Sequence, residues 1–290
     1  MSILEQFNAL IWSWSEMLRA LRRRVALLPL LIYAAAQVAI LAAIVWFAYP
    51  PMNAFVAPLL RAGFGESALH YPTNFYVLRA AFGRADMPLW VFLGALTTGS
   101  AVFLFGSFYR GSRERFGVAW REAGRRYLPV VAVLAIILAL SQILTRVPTG
   151  VFGHLADQSP MRFRLVRLVA MLAVVIVQAV LVYAIPSIVV AGRRLGRSLR
   201  ESVVLALRHP ITTFFIVAVP TVLELLPVWM VRQTRTIMYR FSPEFMIVVM
   251  LIWVAVAFVS TYAIAGAATR FFLHATQSEG PESDQGREER

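Results

Sequence analysis

The chain has 290 residues, 59% of them hydrophobic, and a formal net charge of +13. All 28 basic residues are arginine and there is no cysteine, which excludes disulfides, thiolate metal sites, cysteine nucleophiles and a lysine-dependent phosphate loop. The apolar excess sits in long runs that charge interrupts only at their ends, the pattern a bilayer demands. No stretch outside those runs is long enough to build a soluble domain.

The first 24 residues predict an amphipathic helix. Ile3, Leu4, Phe7, Leu10, Ile11, Trp14, Met17, Leu18 and Leu21 recur at helical spacing, while Glu5, Gln6, Ser13 and Glu16 fall off that face. The first apolar run follows without a small-residue cleavage site and reads as an uncleaved span over 25–49. Next comes a long loop, 50–88, in which Met52, Phe55, Val56, Leu59 and Leu60 suggest one short surface helix and Phe75, Leu78 and Phe82 another. Five more spans are predicted at 89–109, 128–144, 165–191, 211–231 and 245–269, each near the roughly 20 residues needed to cross ~30 Å of hydrocarbon.

Two further amphipathic segments fall between spans. Phe116, Ala119, Trp120, Ala123 and Tyr127 line one helical face, and Leu195, Leu199, Ser202, Val203 and Ala206 line another. The first eight residues of each match: Phe116-Gly117-Val118-Ala119-Trp120-Arg121-Glu122-Ala123 against Leu195-Gly196-Arg197-Ser198-Leu199-Arg200-Glu201-Ser202. A proline, Pro129 or Pro210, opens the span after each copy, where its missing N–H costs nothing. This suggests a unit of inward span, interfacial helix and outward span, used twice; chance similarity of two arginine-rich helices is the competing explanation. The expected architecture is all-α: six transmembrane helices in a membrane domain over 25–274, plus about three cytoplasmic interfacial amphipathic helices. An acidic tail over 275–290, with no large apolar residue, is expected to be disordered.

Arginine placement predicts orientation. Eighteen of the 28 lie on one side: four between 19 and 24, six between 110 and 126, five between 193 and 208, and three from 270 onward. The bias puts both termini on the cytoplasmic side of the membrane. Arg22, Arg23, Arg24, Arg113, Arg125, Arg126, Arg193, Arg194 and Arg197 are the expected anchors to anionic lipid headgroups. Because the arginines gather at the ends of apolar runs, membrane lipids are the expected partners, with a membrane protein as a further one, and nucleic acid is not.

Glu224 is the one acid well inside an apolar run, flanked by Pro220 and Pro227. It is either a proton or cation site facing the bundle interior, or a carboxyl near the outer interface that is protonated or paired with Arg146 or Arg232. Gln37, Gln142 and Gln178 are mid-span amides suited to interhelical hydrogen bonds. Gly94, Thr98, Gly99, Ala101 and Gly106 give the second span a small face, and Ala255, Ala263 and Gly266 do so in the sixth. The four histidines show no metal-ligand spacing, and no nucleophile–base motif is present, so no metal, cofactor or catalytic residue is expected.

From 183 to 226 the chain reads Tyr183-Ala184-Ile185-Pro186-Ser187-Ile188-Val189-Val190, then Gly196-Arg197-Ser198-Leu199-Arg200-Glu201-Ser202, then Arg208-His209-Pro210 and a new span. This resembles a group of poorly characterised bacterial six-helix membrane proteins, similar to the membrane domain found beside glycerophosphodiester phosphodiesterases. The resemblance covers the fourth and fifth spans and elsewhere extends to layout. It implies an inner-membrane protein; with no phosphodiesterase domain present, it does not imply that activity. Two functions follow as expectations: a non-enzymatic membrane component organising lipid or a partner protein, or a secondary transporter or permease subunit using Glu224.

Overall fold

The computed structural model describes residues 3–22, 24–153 and 159–278. Its helices are α1 (Ile3–Ala20), α2 (Leu28–Val45), α3 (Met52–Phe64), α4 (Thr73–Tyr109), α5 (Phe116–Arg125), α6 (Tyr127–Val151), α7 (Pro160–Leu181), α8 (Ala184–Val189), α9 (Leu195–Arg208), α10 (Pro210–Arg232), α11 (Thr234–Arg240) and α12 (Phe245–Ser278). No strand occurs among the described residues. Six segments are long and apolar enough to cross a membrane: Leu28–Val45, Thr73–Tyr109, Tyr127–Pro148, Met161–Val189, Pro210–Val231 and Phe245–Gln277. The protein is an all-α, multi-pass membrane protein.

Two helices are longer than their apolar runs. Phe75, Leu78 and Phe82, expected in a separate surface helix, form the first turns of α4, which continues through Pro88. Their side chains are buried with Met246, Val249 and Met250, and this packing holds the turns in line. At the other end α12 continues to Ser278, so the residues from Ala275 to Ser278 are helical rather than part of a tail. Phe271, Phe272 and Ala275 are buried in a core cluster there, and burial carries the helix past 269, where the expected span ends. The remainder of the acidic tail, Arg23 and His154 lie outside the described residues.

The chain divides into two units: Met1–Pro29, Ala95–Val219 and Tyr262–Arg290 form unit 1, and Leu30–Gly94 with Pro220–Thr261 form unit 2. In unit 1, α6 packs along α7 and α8, and α9 packs along the same two helices. Its core joins Leu10 of α1, Tyr183, Leu205 of α9, Ile216 of α10 and Phe271 of α12. Small residues permit close approach. A Cβ on Gly266 would stand 2.6 Å from Met17 Cγ and 3.1 Å from Phe105 Cε1, and one on Gly106 would stand 2.9 Å from Val190 Cγ2. In unit 2, Leu41 of α2, Leu78 of α4, Val231 of α10, Met238 of α11 and Met250 of α12 share one core. Gly106, Ala101, Ala263 and Gly266 are thus packing residues, whereas Ala255 is exposed.

Helix α1 turns a mixed face inward. Gln6 and Ser13 are 6% and 0% exposed beside buried Leu10 and Met17, while Leu4 and Ile11 are 71% and 65% exposed. Where the surroundings are acyl chains, large apolar side chains gain nothing by turning inward, and polar groups with partners are the ones worth burying. Gln6 has such partners. Its Oε1 accepts from the Ile211 N–H at 3.1 Å, and its carbonyl accepts from Thr212 Oγ1 at 2.9 Å. It therefore caps the first turn of α10, which Pro210 opens without a donor of its own.

Candidate functional site

The most built-up polar region of unit 1 begins where the fourth span breaks. Helix α7 ends at Leu181 and α8 restarts at Ala184, with Pro186 inside α8. The break leaves backbone groups near Val182 without regular helical partners. A single hydroxyl on α9 serves both sides: Ser202 Oγ donates to the Val180 carbonyl at 2.6 Å and accepts from the Tyr183 N–H at 3.1 Å. The Tyr183 hydroxyl lies 3.0 Å from Thr213 Oγ1, tying the break to α10 as well. At the far end of α8, the Arg126 guanidinium donates to the carbonyls of Ile188 and Val189, and Arg110 reaches Val190 O at 3.4 Å. Cations at a helix C-terminus are favourable because unpaired carbonyls collect there.

Both copies of the repeated octapeptide bury their small residues. Ala119 and Ala123 of α5, and Ser198 and Ser202 of α9, are all essentially inaccessible. Each glutamate is neutralised locally. Glu122 pairs with Arg125 at 2.5 Å, and Glu201 pairs with Arg193 and, at 3.2 Å, with Arg197. Glu201 also accepts from Ser187 Oγ at 2.8 Å, which in turn lies 3.1 Å from Ser198 Oγ. Gly111 and Gly192, with φ of 77° and 69°, make the turns before the two copies, a backbone region that side-chain-bearing residues avoid.

Beyond Glu201 the α9 face opens into a groove. A cavity of about 420 Å³ is lined by Arg193, Arg197, Arg200 and Arg208 with one acid, Glu201. Arg197, Arg200, Glu201 and Arg208 fall on one side of α9, and Arg193 joins them from the turn before it. Val204, Leu205, Phe272 and Ala275 supply an apolar wall, and Thr276 of α12 adds a hydroxyl. Burial, followed by the neighbouring Arg197, pulls the Arg193 guanidinium below its ordinary proton affinity. Four guanidinium groups against one carboxylate leave an excess that an anion would relieve, and guanidinium is the side chain best matched to phosphate.

The expected anchors thus divide into three groups. Arg193 and Arg197 line the groove. Arg125 and Arg126 are engaged within the protein, the first by Glu122 and the second by the α8 carbonyls. Arg22, Arg24, Arg113 and Arg194 are exposed, and Arg23 is outside the described residues. The sequence-based expectation did not include Arg200 and Arg208; their spacing from Arg197 along one helix face is the available signal.

Glu224 lies in unit 2, half-buried on α10, with Ser260 of α12 within hydrogen-bonding reach of its carboxyl. Ser260 also donates to the Pro220 carbonyl at 3.1 Å. Unit 2 contains a second carboxylate within a span, Asp86, which falls in the expected loop over 50–88 but lies on α4. The Tyr33 hydroxyl and Gln37 Nε2 of α2 both donate to it, at 3.0 and 2.9 Å. The mid-span amide Gln37 therefore does bridge two helices, and its partner is an acid.

No family model matches the chain, and neither a curated protein nor a solved structure matches it.

Proposed function

We propose that this protein is a non-enzymatic component of a bacterial inner membrane that holds anionic lipid headgroups at the cytoplasmic surface, with both termini on that side. The α9 groove is the observation that carries the reading: four arginines and one glutamate line a cavity that also has an apolar wall. A free anion would use the guanidinium groups alone, whereas an anionic lipid uses both halves. The exposed Arg22, Arg24, Arg113 and Arg194 supply less specific attraction, about 1 kcal/mol each near an anionic surface. The resemblance of the fourth and fifth spans to the six-helix membrane proteins described above is the basis for placing it in an inner membrane. Mass spectrometry of lipid retained after gentle purification tests the proposal. Wild type is expected to keep anionic phospholipid, and a variant carrying Arg197→Gln and Arg200→Gln is expected to lose most of it. Equal retention by both, or retention of a stoichiometric protein in place of lipid, would refute the lipid reading.

A second reading, a secondary transporter or permease subunit, is favoured by Glu224. This carboxyl lies on the fifteenth residue of a 23-residue helix interrupted by Pro220 and Pro227. Prolines at membrane depth free carbonyls that can serve an ion, and Pro220 O is already drawn to Ser260. Proton-dependent flux into protein-loaded vesicles, abolished by Glu224→Gln, would select this reading over the first.

A further inference from the structure

The hydrogen bonds around Asp86 are one-sided. Tyr33 Oη and Gln37 Nε2 both donate to Oδ1, at 3.0 and 2.9 Å. Among the described residues, Oδ2 receives no hydrogen bond, and neither oxygen has an arginine within ion-pair distance. Gln37 is the tenth residue of the 18-residue α2, so its partner sits near the middle of that span. Gln37 and Tyr33 are themselves buried.

An ionised carboxylate at membrane depth, met by neutral donors and no guanidinium, carries an uncompensated charge that is costly there. A neutral carboxyl avoids that cost: one oxygen accepts as a carbonyl and the other holds the proton. Two neutral donors on Oδ1, with no cation at either oxygen among the described residues, fit the neutral form. The nearby charges do not alter this. Arg84, two residues earlier on α4, donates to the Gly63 carbonyl at 3.0 Å and lies over the Phe64 ring at 4.2 Å. Arg79 lies over Trp253 of α12, and Glu224 of α10 is engaged by Ser260. Tyr33 is the titratable group in contact with Asp86.

We infer that Asp86 is a proton-binding site within the membrane, taking the proton on Oδ2 while Tyr33 and Gln37 hold Oδ1 as a carbonyl. The step is simple: a proton from water forms an O–H bond at Oδ2, the carboxylate charge is cancelled, and nothing leaves. The ligand is H⁺ rather than a metal cation, because one open carboxylate oxygen is too few ligands for Na⁺ or a divalent ion. This site is independent of the α9 groove and does not depend on the lipid proposal.

Infrared spectroscopy of the full-length protein in lipid nanodiscs tests the inference. A Glu224→Gln background removes the other carboxyl within a span. At neutral pH that protein should show a protonated-carboxyl C=O band, and adding Asp86→Asn, which preserves shape and hydrogen-bond capacity, should abolish it. Removing a donor with Gln37→Leu, or with Tyr33→Phe if the first variant misfolds, should shift the band to higher frequency. An absent band at neutral pH, a band that survives Asp86→Asn, or a band unmoved in both donor variants would overturn the inference.

Discussion

The two units place their charges in opposite ways. Unit 1 keeps cations at helix ends and on one face of α9, where Arg110 and Arg126 reach backbone carbonyls and Arg193 and Arg197 share Glu201. Unit 2 carries half-buried carboxyl groups within spans, Asp86 on α4 and Glu224 on α10, each met by neutral hydrogen-bonding side chains. The difference shows that a single membrane domain can solve two electrostatic problems at once. Guanidinium groups at span ends are solvated by headgroups or carbonyls, and acids at membrane depth survive only beside donors or in neutral form.

Their packing differs too, and this gives the largest expected effect. Gly266 of unit 1 is pressed by Met17 and Phe105, so Gly266→Leu should cost at least about 1–3 kcal/mol through overpacking. Gly94 of unit 2 leaves 3.5 Å between a new Cβ and Trp90, an ordinary contact, so Gly94→Ala should be tolerated. Thermal melting in detergent, followed by size-exclusion chromatography, distinguishes them. Equal losses would mean the small residues do not separate the two units.

A smaller effect is expected at the fourth-span break. Ser202→Ala leaves both the Val180 carbonyl and the Tyr183 N–H without their partner, at a cost of about 1–3 kcal/mol. Ala123 holds the matching place in the first copy of the octapeptide with no hydroxyl, so Ala123→Ser should give no comparable gain. Melting of the two variants side by side sharpens the repeat comparison: an insensitive Ser202→Ala would remove the capping role.

The smallest expected effect concerns Glu244, just before the sixth span. Its own backbone N–H, then Ser242 and Tyr71, hold its carboxyl below the ordinary carboxylate range. A depressed folded-state value stabilises above the unfolded carboxylate range, and the contribution is lost as pH falls through the folded value. Melting temperature measured from neutral to acid pH should therefore drop slightly less in Glu244→Gln than in wild type. An identical pH profile would remove Glu244 as a contributor.

Much of this architecture is legible in the sequence because apolar runs of span length have few alternatives. The small faces around Gly106 and Gly266 also follow from residue size. Other features depend on tertiary partners. The polar part of the buried α1 face is invisible without Ile211 and Thr212, which give Gln6 its partners. Asp86 lies between Arg84 and Pro88, so an apolar window ends before it; the helix continues because Phe75, Leu78 and Phe82 are packed. The arginine groove needs α12 to run past 269, where the expected span ends, since Phe272, Ala275 and Thr276 form the opposite wall. The octapeptide repeat was visible in sequence, but not that its fourth and eighth residues are the buried ones.

The central claim is that the α9 groove takes an anionic lipid, and crosslinking addresses it most directly. The protein would be embedded in nanodiscs containing a photoactivatable phosphatidylglycerol, irradiated, and its peptides mapped by mass spectrometry. Adducts concentrated on 193–208 and 271–278, and sharply reduced by Arg197→Gln with Arg200→Gln, are the predicted result. Adducts spread evenly over the membrane-facing helices, and unchanged in that variant, would contradict it.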